Sequence, residues 1–279
     1  TLGEQENDIL RYISIDERPL FNTVPEKLRL TEEKERHIYT IYFDSPQWDG
    51  IGHIRVLFSF FYRFNIPEDY KISNEKLFRF FCEMRDTYNP VPYHNWRHAV
   101  DVTQFVVYQI MTGHYDTVFT QFEIFALIVS AICHDANHDG FTNVFNVKAE
   151  TPLGILFKNQ SVMETHHCSV SIDVLTKPQC NLFEELEPAD FKKMWATIIQ
   201  LILSTDMAKH FDILKNFNEL RVEEKFTLDD PECRVLLMEI LLKCADISNV
   251  SRPFQLADKW CDVLCEEFFR QGDLELASG

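Results

Sequence analysis

The 279 residues carry 44 acidic against 27 basic side chains, a net charge of −17, and 46% of them are hydrophobic. That balance argues against a nucleic-acid or anionic-membrane surface, because both need basic patches, and the apolar fraction is enough for a sizeable core. An anionic substrate stays compatible with the acidity where bound cations reverse the local field.

The length allows one large domain or two ordinary ones, at roughly 100–200 residues each. Only eight glycines are present, against 24 phenylalanines. That favours long helices in thick layers over a turn-rich β protein. In residues 1–90 the pattern predicts short amphipathic segments broken by Pro19, Pro25, Pro46 and Pro67. Leu77, Phe80, Phe81 and Met84 then recur at helical spacing and predict a helix over Ile72–Arg85. Asn89-Pro90-Val91-Pro92 is a break. A helix is expected from about His94 to Met111, with Val102, Phe105, Val106 and Ile110 on one face.

Gln121–His134 is apolar almost all round and reads as a central helix. Its longest apolar stretch, Ile124–Cys133, is about half the roughly 20 residues a membrane span needs. Glu164–Leu175 is a further candidate. Phe191–Ser204 puts Met194, Ile198, Leu201 and Ile202 on one face. Asp230-Pro231-Glu232 is a helix start with a capping acid and Pro at the first position, and that helix runs to Asp246. Ser251-Arg252-Pro253 opens another. No stretch alternates at period two, so the fold class expected is all-α, a compact multi-helix domain.

Eight cysteines (82, 133, 168, 180, 233, 244, 261 and 265) form no CxxC pair. Several sit in apolar runs, such as Ile132-Cys133 and Cys244-Ala245, which predicts buried reduced thiols and a reducing compartment. The first residues lack a basic stretch followed by an apolar one, so no signal peptide is read. The expected location is the cytoplasm.

The chemistry concentrates in histidine clusters. Tyr93-His94-Asn95-Trp96-Arg97-His98 is followed by Asp101; His134-Asp135-Ala136-Asn137-His138 by Asn143; Glu164-Thr165-His166-His167 is the third. On a helix, His94 and His98 would share a face, as would His134 and His138. Asp246 ends an apolar run. A lone HxxxH is often accidental, and a helix-terminal acid is often only solvated. His134-Asp135 is harder to dismiss, because two ionisable groups after ten apolar residues are costly to bury unpaired. Coordination of a metal satisfies both. Imidazole with carboxylate suits zinc, manganese or iron, and an aspartate can bridge two cations. Two cations about 3.5–4 Å apart stabilise displacement at phosphorus. HExxH, the GxxxxGK[ST] loop and GxSxG are all missing.

Five segments, in order, carry a resemblance. They are Tyr93-His94-Asn95-x-x-His98-Ala99-x-Asp101-Val102, His134-Asp135-x-x-His138-x-Gly140-x-x-Asn143, Leu203-Ser204-Thr205-Asp206-Met207-Ala208-Lys209-His210, Ala245-Asp246-Ile247-Ser248-Asn249, and Glu266-Glu267-Phe268-Phe269-Arg270-Gln271-Gly272-Asp273. Together they resemble the class I 3′,5′-cyclic-nucleotide phosphodiesterases over residues 70–273. The resemblance implies an HD-type all-helical fold with a deep pocket over two metals. It implies His98, His134, Asp135 and Asp246 as ligands of a tight metal, usually zinc. Asp135 would bridge to a second, magnesium or manganese. His138, Glu164 and Thr205 would hold the surrounding waters. A bridging hydroxide would attack phosphorus and His94 would protonate the leaving O3′. Tyr93, Met207 and Asn249 would line the substrate pocket, and His167 would support it or simply pack.

The activity implied is hydrolysis of cAMP or cGMP to the 5′-monophosphate, ending cyclic-nucleotide signalling. The cyclic nucleotide is the expected partner, with no nucleic acid and no transmembrane segment. Asn137 and Asp139 depart from the Asp and Pro of many members, which puts the local loop in doubt. The family's purine-binding Gln and stacking Phe lie well beyond the position of Asp246. Residues 1–279 are therefore expected to form a single catalytic domain without its C-terminal helices, and activity to need them. The competing readings are an HD-type phosphohydrolase of another nucleotide and a scaffold that has lost turnover.

Overall fold

The computed structural model describes residues 2–15, 23–158 and 160–278, so Pro19 lies outside the described residues. Ten helices of twelve or more residues are numbered in chain order. They are α1 (Glu4–Ile15), α2 (Gly50–Arg63), α3 (Asn74–Thr87), α4 (Trp96–Thr112), α5 (Gln121–Cys133), α6 (Val162–Leu175), α7 (Pro188–Leu203), α8 (His210–Val222), α9 (Pro231–Asp246) and α10 (Phe254–Ser278). Short helical turns connect them, and no strand occurs among the described residues. The all-α expectation holds.

Local chemistry explains most boundaries. Ser73 caps α3 by accepting from the Lys76 N–H. Thr120 and Glu123 form a reciprocal capping box on α5, which satisfies two N–H groups that the helix cannot. Asp230 caps α9 by accepting from the Glu232 N–H, with Pro231 at the first position. The expected starts for α3 and α9 are thus met within two residues.

Helix α5 is the hub. It packs against α4, α7 and α9, and every residue from Glu123 to Cys133 is buried. Glu123 does double duty: its carboxylate completes the capping box and pairs with Arg234 of α9 at 3.0 Å. The phenylalanines fill the layer between α2, α3 and α5. Phe58, Phe61 and Phe125 meet their neighbours edge-on, as in Phe61–Phe81 at 5.1 Å, the geometry that aromatic quadrupoles favour.

Several expectations are corrected. Residues 50–63 form one long helix with ten buried residues, where short segments were expected. Helix α8 was not anticipated; none of its residues is buried, so no apolar stripe marks it. Helix α4 begins at Trp96 because the Asn95 side chain accepts from the Arg97 and His98 N–H groups. His94 therefore lies before the helix and shares no helical face with His98. Helix α5 ends at Cys133, and Asn137 adopts φ +56°, so His134 and His138 are not stacked on one helix either. All eight cysteines are free thiols, but Cys244 and Cys261 are exposed, against the burial expected of Cys244.

Candidate active site

The ends of three helices meet at one point. α4 contributes His98 from its first turn, His134 and Asp135 follow directly on the end of α5, and α9 ends on Asp246. Nε2 of His98 lies 3.2 Å from Asp135 Oδ2 and 3.0 Å from Asp246 Oδ1. Nε2 of His134 lies 3.1 Å from each of the same two oxygens. The four donor atoms fall within 4.8 Å of one another. His134 is oriented from behind, its Nδ1 donating to the Ala131 carbonyl at 2.8 Å, which leaves Nε2 free to ligate.

The electrostatics fit a cation. Burial by itself would lower the His98 pKa, but hydrogen bonds and charge from Asp135 and Asp246 outweigh it and bring it up to about 9. Burial would raise both aspartates, yet His134 and then His98 hold them well below the usual carboxylate range. Two imidazoles and two carboxylates packed this closely compete for protons that one divalent ion would replace. Asp135 Oδ2 is buried with no hydrogen bond of good geometry, an orphaned acceptor that a cation would satisfy. The donor set, N₂O₂, suits a divalent transition metal, so the residues fit the metals the sequence implied.

His94 stands beside this cluster, and its partner was not anticipated. Glu267, from the middle of α10, is buried at 3% exposure. One of its oxygens accepts from the backbone N–H of Tyr93 at 2.8 Å and of His94 at 3.0 Å. The other meets His94 Nδ1. Burial raises the Glu267 pKa, but the His94 ring and the two backbone donors outweigh it and lower it. The ring is thereby fixed with its proton on Nδ1 and Nε2 left for chemistry. The sequence placed Glu267 in a family segment without a role; its separation of 173 residues from His94 left no local signal.

His138 lies flat on His94, ring centroids 4.1 Å apart and planes 8° from parallel. Its Nδ1 accepts from the Gly140 N–H at 2.9 Å, which places its proton on Nε2. Burial, then the charge of His94, push its pKa well down, so it stays neutral and donates. The loop at Asn137 and Asp139 is ordered by its own side chains. Asn137 takes the left-handed conformation that Asn tolerates, and Asp139 accepts from the Phe141 N–H and from Asn146.

A cavity of about 1060 Å³ opens over these groups, lined by His94, Asp135, His138, Glu164, Thr205, Met207 and Asp246 among others. Glu164 is held by Asn143, which donates to both its oxygens at 3.2 and 2.9 Å. Burial raises its pKa to about 7, with Asn143 opposing and Asp206 adding. His167 donates through Nδ1 to the Ala136 carbonyl and places Nε2 3.5 Å from Asp135. Tyr93 and Asn249 are elsewhere: both are buried, bonded to each other at 3.2 Å, and outside the cavity lining. The Tyr93 ring packs 4.6 Å from that of His98.

Known proteins resemble this chain in sequence and in fold. The chain is 35% identical over 237 residues to the mouse high affinity cGMP-specific 3′,5′-cyclic phosphodiesterase 9A, covering 85% of this chain and 44% of that one. It is 37% identical over 239 residues to the 3′,5′-cyclic-nucleotide phosphodiesterase regA of Dictyostelium discoideum, covering 85% and 30%. The chain thus spans less than half the length of these curated relatives. Among solved structures, LmjPDEB1 in complex with IBMX superposes with a TM-score of 0.81 at 33% identity, covering 89% of this chain and 80% of that one. The phosphodiesterase domain of Salpingoeca rosetta rhodopsin phosphodiesterase gives 0.84 at 30%, covering 89% and 77%. Residues 93–279 match the family described as 3′5′-cyclic nucleotide phosphodiesterase. Cluster, cavity and relatives converge: the chain belongs to the 3′5′-cyclic nucleotide phosphodiesterase family, whose members depend on divalent metals.

Proposed function

We propose that this chain hydrolyses a 3′,5′-cyclic nucleotide to the 5′-monophosphate. The observation that carries it is the juxtaposition of a carboxylate-anchored His94 with the His98, His134, Asp135 and Asp246 cluster at one cavity wall. When bound, divalent cations there neutralise the phosphodiester and lower the pKa of the attacking water. Zinc suits the two-histidine, two-carboxylate set; magnesium or manganese suits a neighbouring position on Asp135 completed by water.

The side chains divide the remaining work. As the imidazolium, with Nδ1–H held by Glu267, His94 passes its second proton from Nε2 to the departing O3′ and is left as the neutral ring, which Glu267 keeps aimed. His138, with Nε2–H as donor, and Glu164 and Thr205, which line the same cavity, hold the waters. Met207, in the lining of the same cavity, would touch the nucleotide. Tyr93 and Asn249, buried behind the cluster, support His98 instead of contacting substrate. Residues 1–279 are read as one catalytic domain, because α1 to α3 share a continuous apolar core with the helices that follow.

The test is product analysis with cGMP and cAMP side by side, in the presence of zinc and magnesium. A nucleoside 5′-monophosphate is the expected product. Release of tripolyphosphate from a deoxynucleoside triphosphate instead would place the chain among other HD-type phosphohydrolases. Asp246→Ala is expected to lose both bound metal and turnover, measured by metal analysis and by the same assay. Retention of metal by that variant would remove Asp246 from the ligand set.

A further inference from the structure

Two contacts close the same pair of elements. α4 carries His98 and, one turn on, Asp101; the chain leaving α9 carries Asp246 and then, past the short turn Ser248–Ser251, Arg252. His98 meets Asp246 at 3.0 Å. Arg252 meets Asp101 at 3.0 Å, with side-chain exposures of 0% and 2%. The guanidinium also donates to Gln104 Oε1 at 2.8 Å and to the Ile41 carbonyl at 3.3 Å. It lies between the rings of Phe105 and Phe43, at 5.6 and 5.9 Å. A buried ion pair repays its desolvation poorly. What it provides is direction, since the guanidinium fork accepts few geometries. Between the two contacts, Asn249 reaches Tyr93, which packs on His98, so the turn is also linked to that ligand through the segment leading into α4.

We propose that Asp101 and Arg252 form a clasp that positions the Asp246 carboxylate against His98, and so sets the cation affinity of the four-residue cluster. Both are positioning residues; neither touches the cation or the substrate. The inference rests on the cluster being a divalent-cation site.

The experiment measures Zn²⁺ affinity by competition with a chromophoric chelator, alongside thermal unfolding of the metal-free proteins. Arg252→Met strands a buried carboxylate and is expected to lower both stability and affinity, the latter about 10–100-fold as for other residues that orient ligands. The double variant Asp101→Leu/Arg252→Met removes both charges. It is expected to recover metal-free stability while its affinity stays low, because apolar packing fills space without aiming the carboxylate. Arg252→Lys keeps the charge but not the fork, and is expected to bind at least about threefold more weakly than wild type. Affinity within about twofold of wild type in the double variant and in Arg252→Lys overturns the clasp. Absence of Zn²⁺ binding by the wild-type protein overturns the cation site itself, and the clasp with it.

Discussion

Glu267 accepts from two consecutive backbone N–H groups and from an imidazole, so neither of its oxygens is spare. Glutamine in its place offers one acceptor and one donor where acceptors are needed on both sides. Glu267→Gln is therefore expected to lower kcat by about 100-fold, the scale of a lost general acid, with bound metal unchanged. His94→Ala is expected to match it, and the double variant to be no worse than either single one. Full kcat in Glu267→Gln would show that His94 needs no anchor. Glu164 offers a second test of site electrostatics. Its pKa is raised to about 7 by burial, so the protonated form is the one the fold favours. Its stabilising contribution is complete below the ordinary carboxylate value and is lost as pH rises through about 7. In the metal-free protein, Glu164→Gln should gain on the order of 3 kcal/mol relative to wild type between pH 4 and pH 8. Equal differences from wild type at the two pH values, in denaturant titrations, would sink that assignment.

At the scale of the element, α10 is the exception among the helices that build the site. Of its 25 residues only Trp260 and Glu267 are buried. Trp260 packs edge-on to Tyr93 at 5.8 Å and to His98 at 6.3 Å, so one indole docks the helix that carries the His94 anchor. Trp260→Ala removes a side chain whose loss typically costs about 3–5 kcal/mol. Because so little else holds α10, the cost is expected to appear as local undocking. Hydrogen exchange should then accelerate across residues 254–278 while α5 stays protected, and kcat should fall as it does for Glu267→Gln. Unchanged protection of α10 would mean that other contacts dock it. The α4 boundary is the second element-scale lesson. The Asn95 cap separates a histidine poised in a turn from one fixed on a helix, and the two roles follow from that single break.

For the whole molecule, a net charge of −17 opposes an anionic substrate, and the cluster adds two carboxylates to a cavity whose lining also holds Lys148 and Lys209. Cations bound at His98, His134, Asp135 and Asp246 would add to the compensation and would tie α4, α5 and α9 together. Removal of metal by chelation is therefore expected to leave the helical content intact but to lower Tm by several degrees, about 2–4 °C per kcal/mol for a protein of this class. Re-addition of Zn²⁺ should restore it, followed by far-UV circular dichroism; a Tm indifferent to chelator would argue that the cluster holds no metal. By itself the sequence determined most of the long helices, the cap at Asp230, and the histidines and acids of the cluster. Those are short-range signals, set by periodicity and by side chains within a turn of each other. It left α8 unread because that helix buries nothing and so shows no apolar stripe, and it left α2 unread although its face is amphipathic. Only the tertiary structure decided that Glu267 anchors His94 across 173 residues and that Arg252 reaches Asp101 across 151. Partners so far apart in the chain leave no local pattern; packing α4, α5, α9 and α10 around one buried point is what brings them together.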